Sequence, residues 1–154
     1  MSQVYVSPSL KYGYDRQYAV KSEATAELFS VAIRCAYSIM KLPSNIRVCL
    51  RPLPRKTLNG YYTHCLKKVV IDPRKGDLLT LMRTLAHELV HAEQFHDGRF
   101  AITAKSYQWC GKDVKLENRN YLKYIAQPWE AEAFKRQNGI AQELIELVEK
   151  EIEV

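Results

Sequence analysis

The sequence predicts an α+β protein built as a single domain over residues 1–154: a small antiparallel or mixed sheet packed on a helix at about 77–96, with additional N- and C-terminal helices. Three observations carry this prediction. Leu78, Leu81, Met82, Leu85, Leu89 and Ala92 recur at steps of three and four, which is one apolar stripe on an amphipathic helix. IRVCL and KKVVID are short runs rich in β-branched residues, bounded by proline, asparagine and glycine as strands are. Helical spacing then returns near both ends of the chain.

Taken in order, residues 23–40 read as a helix in which Leu28, Ala32, Cys35 and Ile39 repeat behind Ser22 as a cap, and Leu42-Pro43 stops it. IRVCL, at 46–50, is a strand closed by Pro52 and Pro54. A turn through Asn59-Gly60 leads into YYTHC and KKVVID, one strand or a broken pair. Asp72-Pro73 and Gly76 end that run, and Asp77 caps the helix that follows. A helix is expected around 114–126. Another starts at Pro128 and is capped by Asn138-Gly139. A last amphipathic helix places Ile140, Leu144, Leu147, Val148 and Ile152 on one side.

At 154 residues the chain is long enough to bury a core without disulfide staples. Cys35, Cys49, Cys65 and Cys110 form no C-x-x-C pair, which argues against a zinc ribbon and for reduced thiols. No run approaches the roughly 18 apolar residues of a membrane span, nor does the start resemble a signal peptide. A soluble, cytoplasmic protein is expected, with no membrane partner and an oligomeric state left open. The net charge of +6 is uneven, with +10 on residues 1–127 and −4 on 128–154. Such a basic body could attract nucleic acid, although no basic run is interleaved with aromatics as single-strand binders require.

The chemistry concentrates in HELVHAEQFH, residues 87–96. On a helix, His87 and His91 point the same way and can hold one metal through their imidazoles. Glu88 is turned by about 100 degrees, which suits a base beside the metal rather than a ligand on it. In a chain with 4 histidines an accidental H-E-x-x-H has a chance of only about 1%, so the pattern is worth reading as a zinc site.

A catalytic zinc usually takes three protein ligands and keeps an open position. His96 would lie about 180 degrees from His87 on a continued helix, so it serves only if the helix breaks first. Glu130 and Glu132 diverge by about 200 degrees, so only one of them can face the metal. Glu130 shares its face with Ala133 and Phe134, and an inward carboxylate needs a partner charge; it is the better ligand, with His96 the alternative. Tyr121, Tyr124, His96 and His64 are candidates for an oxyanion donor or cleft wall. Cys65, beside His64, is a conceivable inhibitory thiolate and more simply a structural thiol.

HELVH on one helix and E-A-E-A on a later one resemble the gluzincin metallopeptidases, especially the small soluble minigluzincins, over roughly residues 60–137. The resemblance implies a zincin-like fold with an edge strand within 61–72 above the cleft, pairing with an extended peptide or protein substrate. It implies zinc on His87, His91 and Glu130, with Glu88 as general base and acid. Many gluzincins place an aspartate four residues after the ligand glutamate to orient a histidine; here that position is Phe134. HDGRF, at 96–100, bears a lesser resemblance to the H-G-x-x-F segment of SprT-like proteases, which act on DNA-bound proteins. An aspartate interrupts it and it comes early in the chain. Two other readings are a zincin-fold binding module without peptidase activity, and an acidic tail from 140 to 154 that covers the cleft.

Overall fold

In the computed structural model, residues 4–7, 16–115 and 120–152 are described. Their elements are β1 (Val4–Val6), α1 (Arg16–Ile39), β2 (Arg47–Leu50), β3 (Gly60–Thr63), β4 (Lys68–Ile71), α2 (Leu78–His96), β5 (Phe100–Ile102), β6 (Tyr107–Trp109), β7 (Lys112–Val114), α3 (Tyr121–Ala126) and α4 (Pro128–Ile152). The architecture is α+β: a four-stranded mixed sheet, a separate three-stranded antiparallel meander and four helices.

The larger sheet runs β1-β2-β4-β3, with β1, β2 and β4 parallel and β3 antiparallel to β4. Strand alternation divides its side chains between two faces. Val48, Leu50, Val69 and Ile71 enter the main core, where they meet Phe29 and Ile33 of α1, Leu85 and Leu89 of α2, and Leu144 of α4. Cys49 and Val70 point the other way and join Leu53 in a small cluster with Leu58 and Tyr61. The sheet is therefore covered on both sides near β4.

The predicted cap of α2 is present: the Asp77 carboxylate accepts the Thr80 backbone N–H at 2.9 Å. Three sequence expectations are corrected and one open choice is resolved. The first helix begins at Arg16, with Ser22 inside it. Of the two readings of the YYTHC and KKVVID run, the broken pair is the one present, as β3 and β4. Only residues 121–126 of the helix expected at 114–126 are helical; 112–114 form β7, and 116–119 lie outside the described residues. Asn138-Gly139 does not end a helix, because α4 continues through it to Ile152.

That last correction has an energetic cause. A helical glycine costs about 1 kcal/mol relative to alanine. Ile140, Ala141, Leu144 and Val148 lie just beyond it and are buried in the core, and each large apolar side chain gains about 1.5–3 kcal/mol on burial. The same packing occupies the apolar face of the C-terminal segment, which lies against α1 rather than across the cleft; Glu151 pairs with Arg34 at 3.2 Å. No helix among the described residues is long and apolar enough to cross a membrane.

The loop from β2 to β3 is tied down at the end of β4. Asp72 is fully buried and accepts the Leu53 backbone N–H at 2.8 Å and the Arg74 guanidinium at 2.9 and 2.8 Å. The Lys75 ammonium donates to the carbonyls of Leu53, Arg55 and Leu58. Burial alone would raise the Asp72 pKa, but the bonds from Arg74 and Leu53 outweigh it and hold the carboxyl below the usual aspartate range. A lowered folded pKa stabilises the fold fully above the usual value of about 3.9, and the gain is lost as pH falls through the folded value. Asp72→Asn should therefore cost about 1.5–3 kcal/mol at pH 7. In urea unfolding, the gap between variant and wild type should shrink at pH 3; a gap that stays constant or widens on acidification would contradict the assignment.

Candidate metal centre

Helix α2 presents two kinds of face. From Leu81 onward its apolar stripe enters the core, with Leu78 left exposed, while Thr80, Arg83, Thr84, His87 and Glu88 line a cleft of about 380 Å³. Thr57, Leu58, Asn59 and Gly60, from the tethered loop and the start of β3, form the opposite wall. Gly60 is required there by space: a Cβ would come within 2.7 Å of the Val70 carbonyl oxygen and 3.0 Å of Thr84 Cγ2. Tyr121 and Tyr124 of α3 and Phe134 and Gln137 of α4 complete the lining.

Glu130 stands in the first turn of α4 and is 4% exposed. Its two carboxylate oxygens reach different histidines, Oε2 at 3.1 Å from His87 Nε2 and Oε1 at 2.7 Å from His91 Nε2. The three residues offer donor atoms within 4.8 Å of one another, the one such group among the described residues. Zinc bonds of about 2.1 Å at tetrahedral angles would set ligand atoms about 3.4 Å apart, so this set is already near that spacing.

The outer ring nitrogens sharpen the chemistry. His91 Nδ1 lies 2.9 Å from Gln94 Oε1 and His87 Nδ1 2.8 Å from Gln137 Oε1. The orientation of Gln94 is set by its amide nitrogen, which donates to the Trp129 carbonyl and to Glu132, each at 3.0 Å. Its Oε1 is thus the atom facing His91, and Nδ1 must carry the proton. In the neutral ring, Nε2 then has a bare lone pair aimed at a carboxylate oxygen 2.7 Å away. Two acceptors in that position need a cation or an extra proton between them. The donor set therefore fits a metal ion.

Without a metal, protons serve the same need. Burial opposes charge on His91, but the hydrogen bond to Glu130 and the negative charges of Glu88 and Glu130 outweigh it and lift its pKa to about 9. His87 is raised by the same balance, again with Glu130 prevailing over burial. Glu130 is drawn down to about 2, its burial outweighed by the bonds from the two histidines. Glu88 moves the other way because desolvation raises its pKa. It is a buried carboxyl at the cleft that holds a proton more readily than usual.

Behind Gln94 runs a polar network. Glu132 receives Gln94, Arg99 and Arg136; Arg99 also reaches Asp97 and Glu93. Glu93 in turn accepts Arg136 at 2.8 Å and the Lys41 backbone N–H at 3.0 Å. Glu132 therefore acts on the site through Gln94.

Tyr124 lines the cleft against Glu130. Burial, followed by the Glu130 charge and hydrogen bond, pushes its hydroxyl well above the usual tyrosine range. Tyr121 also lines the cleft and is largely exposed. His96 ends α2 on the exposed side, outside both the donor group and the cleft lining. His64 stacks on Phe95 with ring centroids 4.3 Å apart, and its Nε2 lies 3.5 Å from Cys65 Sγ; neither residue lines the cleft.

Sequence reading misses Gln94, Gln137 and Arg83. Their signals were positional: three residues after His91, seven after Glu130 and four before His87, all helical spacings toward the site. Phe134, where an orienting aspartate was expected, packs edge-on against His87 at 4.7 Å, and Gln137 takes over the hydrogen bond to that ring. Comparison with protein-family models, curated proteins and solved structures finds no match to this chain.

Metal binding makes a direct prediction. Zinc at 1,000 times its Kd should stabilise the fold by about 4 kcal/mol, and the rise in melting temperature should vanish in His91→Ala and Glu130→Ala. Gln94→Leu should keep one bound zinc but weaken it about 10- to 100-fold in a chelator competition. Wild-type protein that melts identically with and without zinc would refute the site.

Proposed function

We propose that the protein is a zinc-dependent peptidase of the gluzincin type, with His87, His91 and Glu130 as ligands and Glu88 as general base and acid. One observation carries the reading. The H-E-x-x-H face of α2 and a carboxylate from the next long helix converge, donor atom to donor atom, and one of the three residues, His87, lines a cleft beside the motif glutamate.

Zinc in this position supplies a Lewis acid that lowers the pKa of water and polarises a peptide carbonyl. Glu88 accepts the proton of the attacking water and returns it to the leaving amine. Desolvation moves its pKa upward, towards the working pH, where one carboxyl can serve first as base and then as acid. Gln94 and Gln137 hold the imidazoles in the tautomer that directs Nε2 inward. Tyr124 keeps its hydroxyl protonated and hydrogen-bonded to Glu130, and turning that O–H into the cleft would offer a donor to a developing oxyanion.

An extended peptide is the natural occupant of such a cleft. Strand β3 is hydrogen-bonded to β4 on one side and ends the sheet on the other, and its first residue, Gly60, lies in the cleft wall. A peptide could add to that edge through its main chain.

Glu88→Gln should abolish cleavage of a denatured protein substrate, lowering kcat by at least 100-fold, while zinc content stays at one per chain. Hydrolysis that survives this substitution would end the peptidase reading. Salt-dependent nucleic-acid binding without hydrolysis would favour the binding-module alternative.

A further inference from the structure

Arg83 stands one helical turn before His87, and both line the cleft. Its Nε is shut off from solvent without a hydrogen-bond partner, the one such side-chain nitrogen or oxygen among the described residues, so the guanidinium can meet a ligand in the cleft only through its two terminal nitrogens, which are not buried in this way. An arginine remains charged at any physiological pH, so the cleft carries a fixed positive charge beside His87. No described carboxylate forms an ion pair with it. Its charge acts weakly on exposed Asp77, where it ranks behind that residue's own bonds to Thr80. Glu88, the one acid lining the cleft, is five residues on and turned by about 140 degrees around the helix.

We propose that Arg83 is the substrate-specificity residue of this cleft, binding a peptide carboxylate close to the scissile bond. The proposal rests on the peptidase reading and adds the substrate class to it. Four residues of helix separate Arg83 from His87 by about 6 Å along the axis, and an extended peptide advances about 3.3 Å per residue. The carboxylate bound by Arg83 therefore belongs to a residue one or two positions from the bond at the metal. Its planar fork matches a carboxylate through two parallel N–H···O bonds, a geometry that an amide cannot supply with the same charge. Either an acidic side chain or the free C-terminus of a short peptide presents this group.

Binding, rather than turnover, provides the test. Three dansyl-labelled octapeptides built on one alanine, leucine and phenylalanine sequence are titrated into zinc-loaded E88Q protein: one ends in a free carboxylate, one in an amide, and one in an amide with a central glutamate in place of one alanine. At least one acidic peptide should bind ten times more tightly than the neutral amide, and which one does so identifies the carboxylate source. Adding Arg83→Gln should bring all three within twofold of one another, whereas Arg83→Lys, which keeps the charge without the fork, should retain part of the preference and controls for folding. Equal affinities in the Arg83 protein, no binding of any peptide, or a preference that persists in Arg83→Gln would overturn the proposal. Cleavage by the wild type is read separately: selective binding without cleavage removes the peptidase reading alone, and cleavage without acid preference removes the Arg83 assignment alone.

Discussion

A carboxylate held between two imidazole nitrogens, all three nearly dehydrated, is the constraint on which the arrangement depends. Glu130 meets His87 and His91 at 3.1 and 2.7 Å, and the outer nitrogens of both rings are already committed to glutamine oxygens. With the Nδ1 proton of His91 fixed by Gln94, its inner nitrogen faces Glu130 as an acceptor. Such a cluster is costly to bury unless a positive charge resolves it. The electrostatics therefore select a metal-loaded or doubly protonated state, and the helices α2 and α4 must pack in one register to allow either.

That register is supported from behind. Gln94 is fully buried and touches His91, the Trp129 carbonyl and Glu132, so one side chain joins the imidazole that meets Glu130 to the first turn of α4. The charges beyond it alternate through Arg99, Glu93 and Arg136, which leaves few orientations open to α4. A network of this kind contributes specificity of geometry more than net stability, because each buried charge first gives up its hydration. The apolar half of the interface, Leu85, Leu89, Ala133 and Ala141, supplies the burial that drives the packing. Across the cleft, the opposite wall relies on a different device: Asp72 and Lys75 satisfy backbone groups of a loop that has few apolar contacts of its own.

Local patterning made some elements legible and concealed others. Helix α2 was readable because its stripe, its Asp77 cap and its paired histidines all obey one period. The strands β2 and β4 were readable because their β-branched residues are bounded by strong turn residues. The meander β5–β7 left little trace: its strands have three residues each, and their side chains are mostly half-exposed or exposed. The turn between β6 and β7 uses positive φ at Cys110 and Gly111, a conformation that Cys110 does not advertise. Gly139 failed as a stop signal for the opposite reason, since core burial beyond it outweighs its weak helix propensity.

For the site itself, the sequence by itself determined that His87 and His91 share a helix face, that Glu88 is offset from them, and that Glu130 has an inward-facing neighbourhood. These follow from the 3.6-residue turn and from apolar spacing, which are properties of single helices. Only the tertiary structure decided that Glu130 reaches both rings, that Gln94 and Gln137 contact their outer nitrogens, that His64 and His96 stand outside the cleft, and that Arg83 lines it. The reason is physical: whether two side chains on different helices meet depends on the packing angle and register of whole elements, which the sum of many core contacts sets and no local pattern encodes.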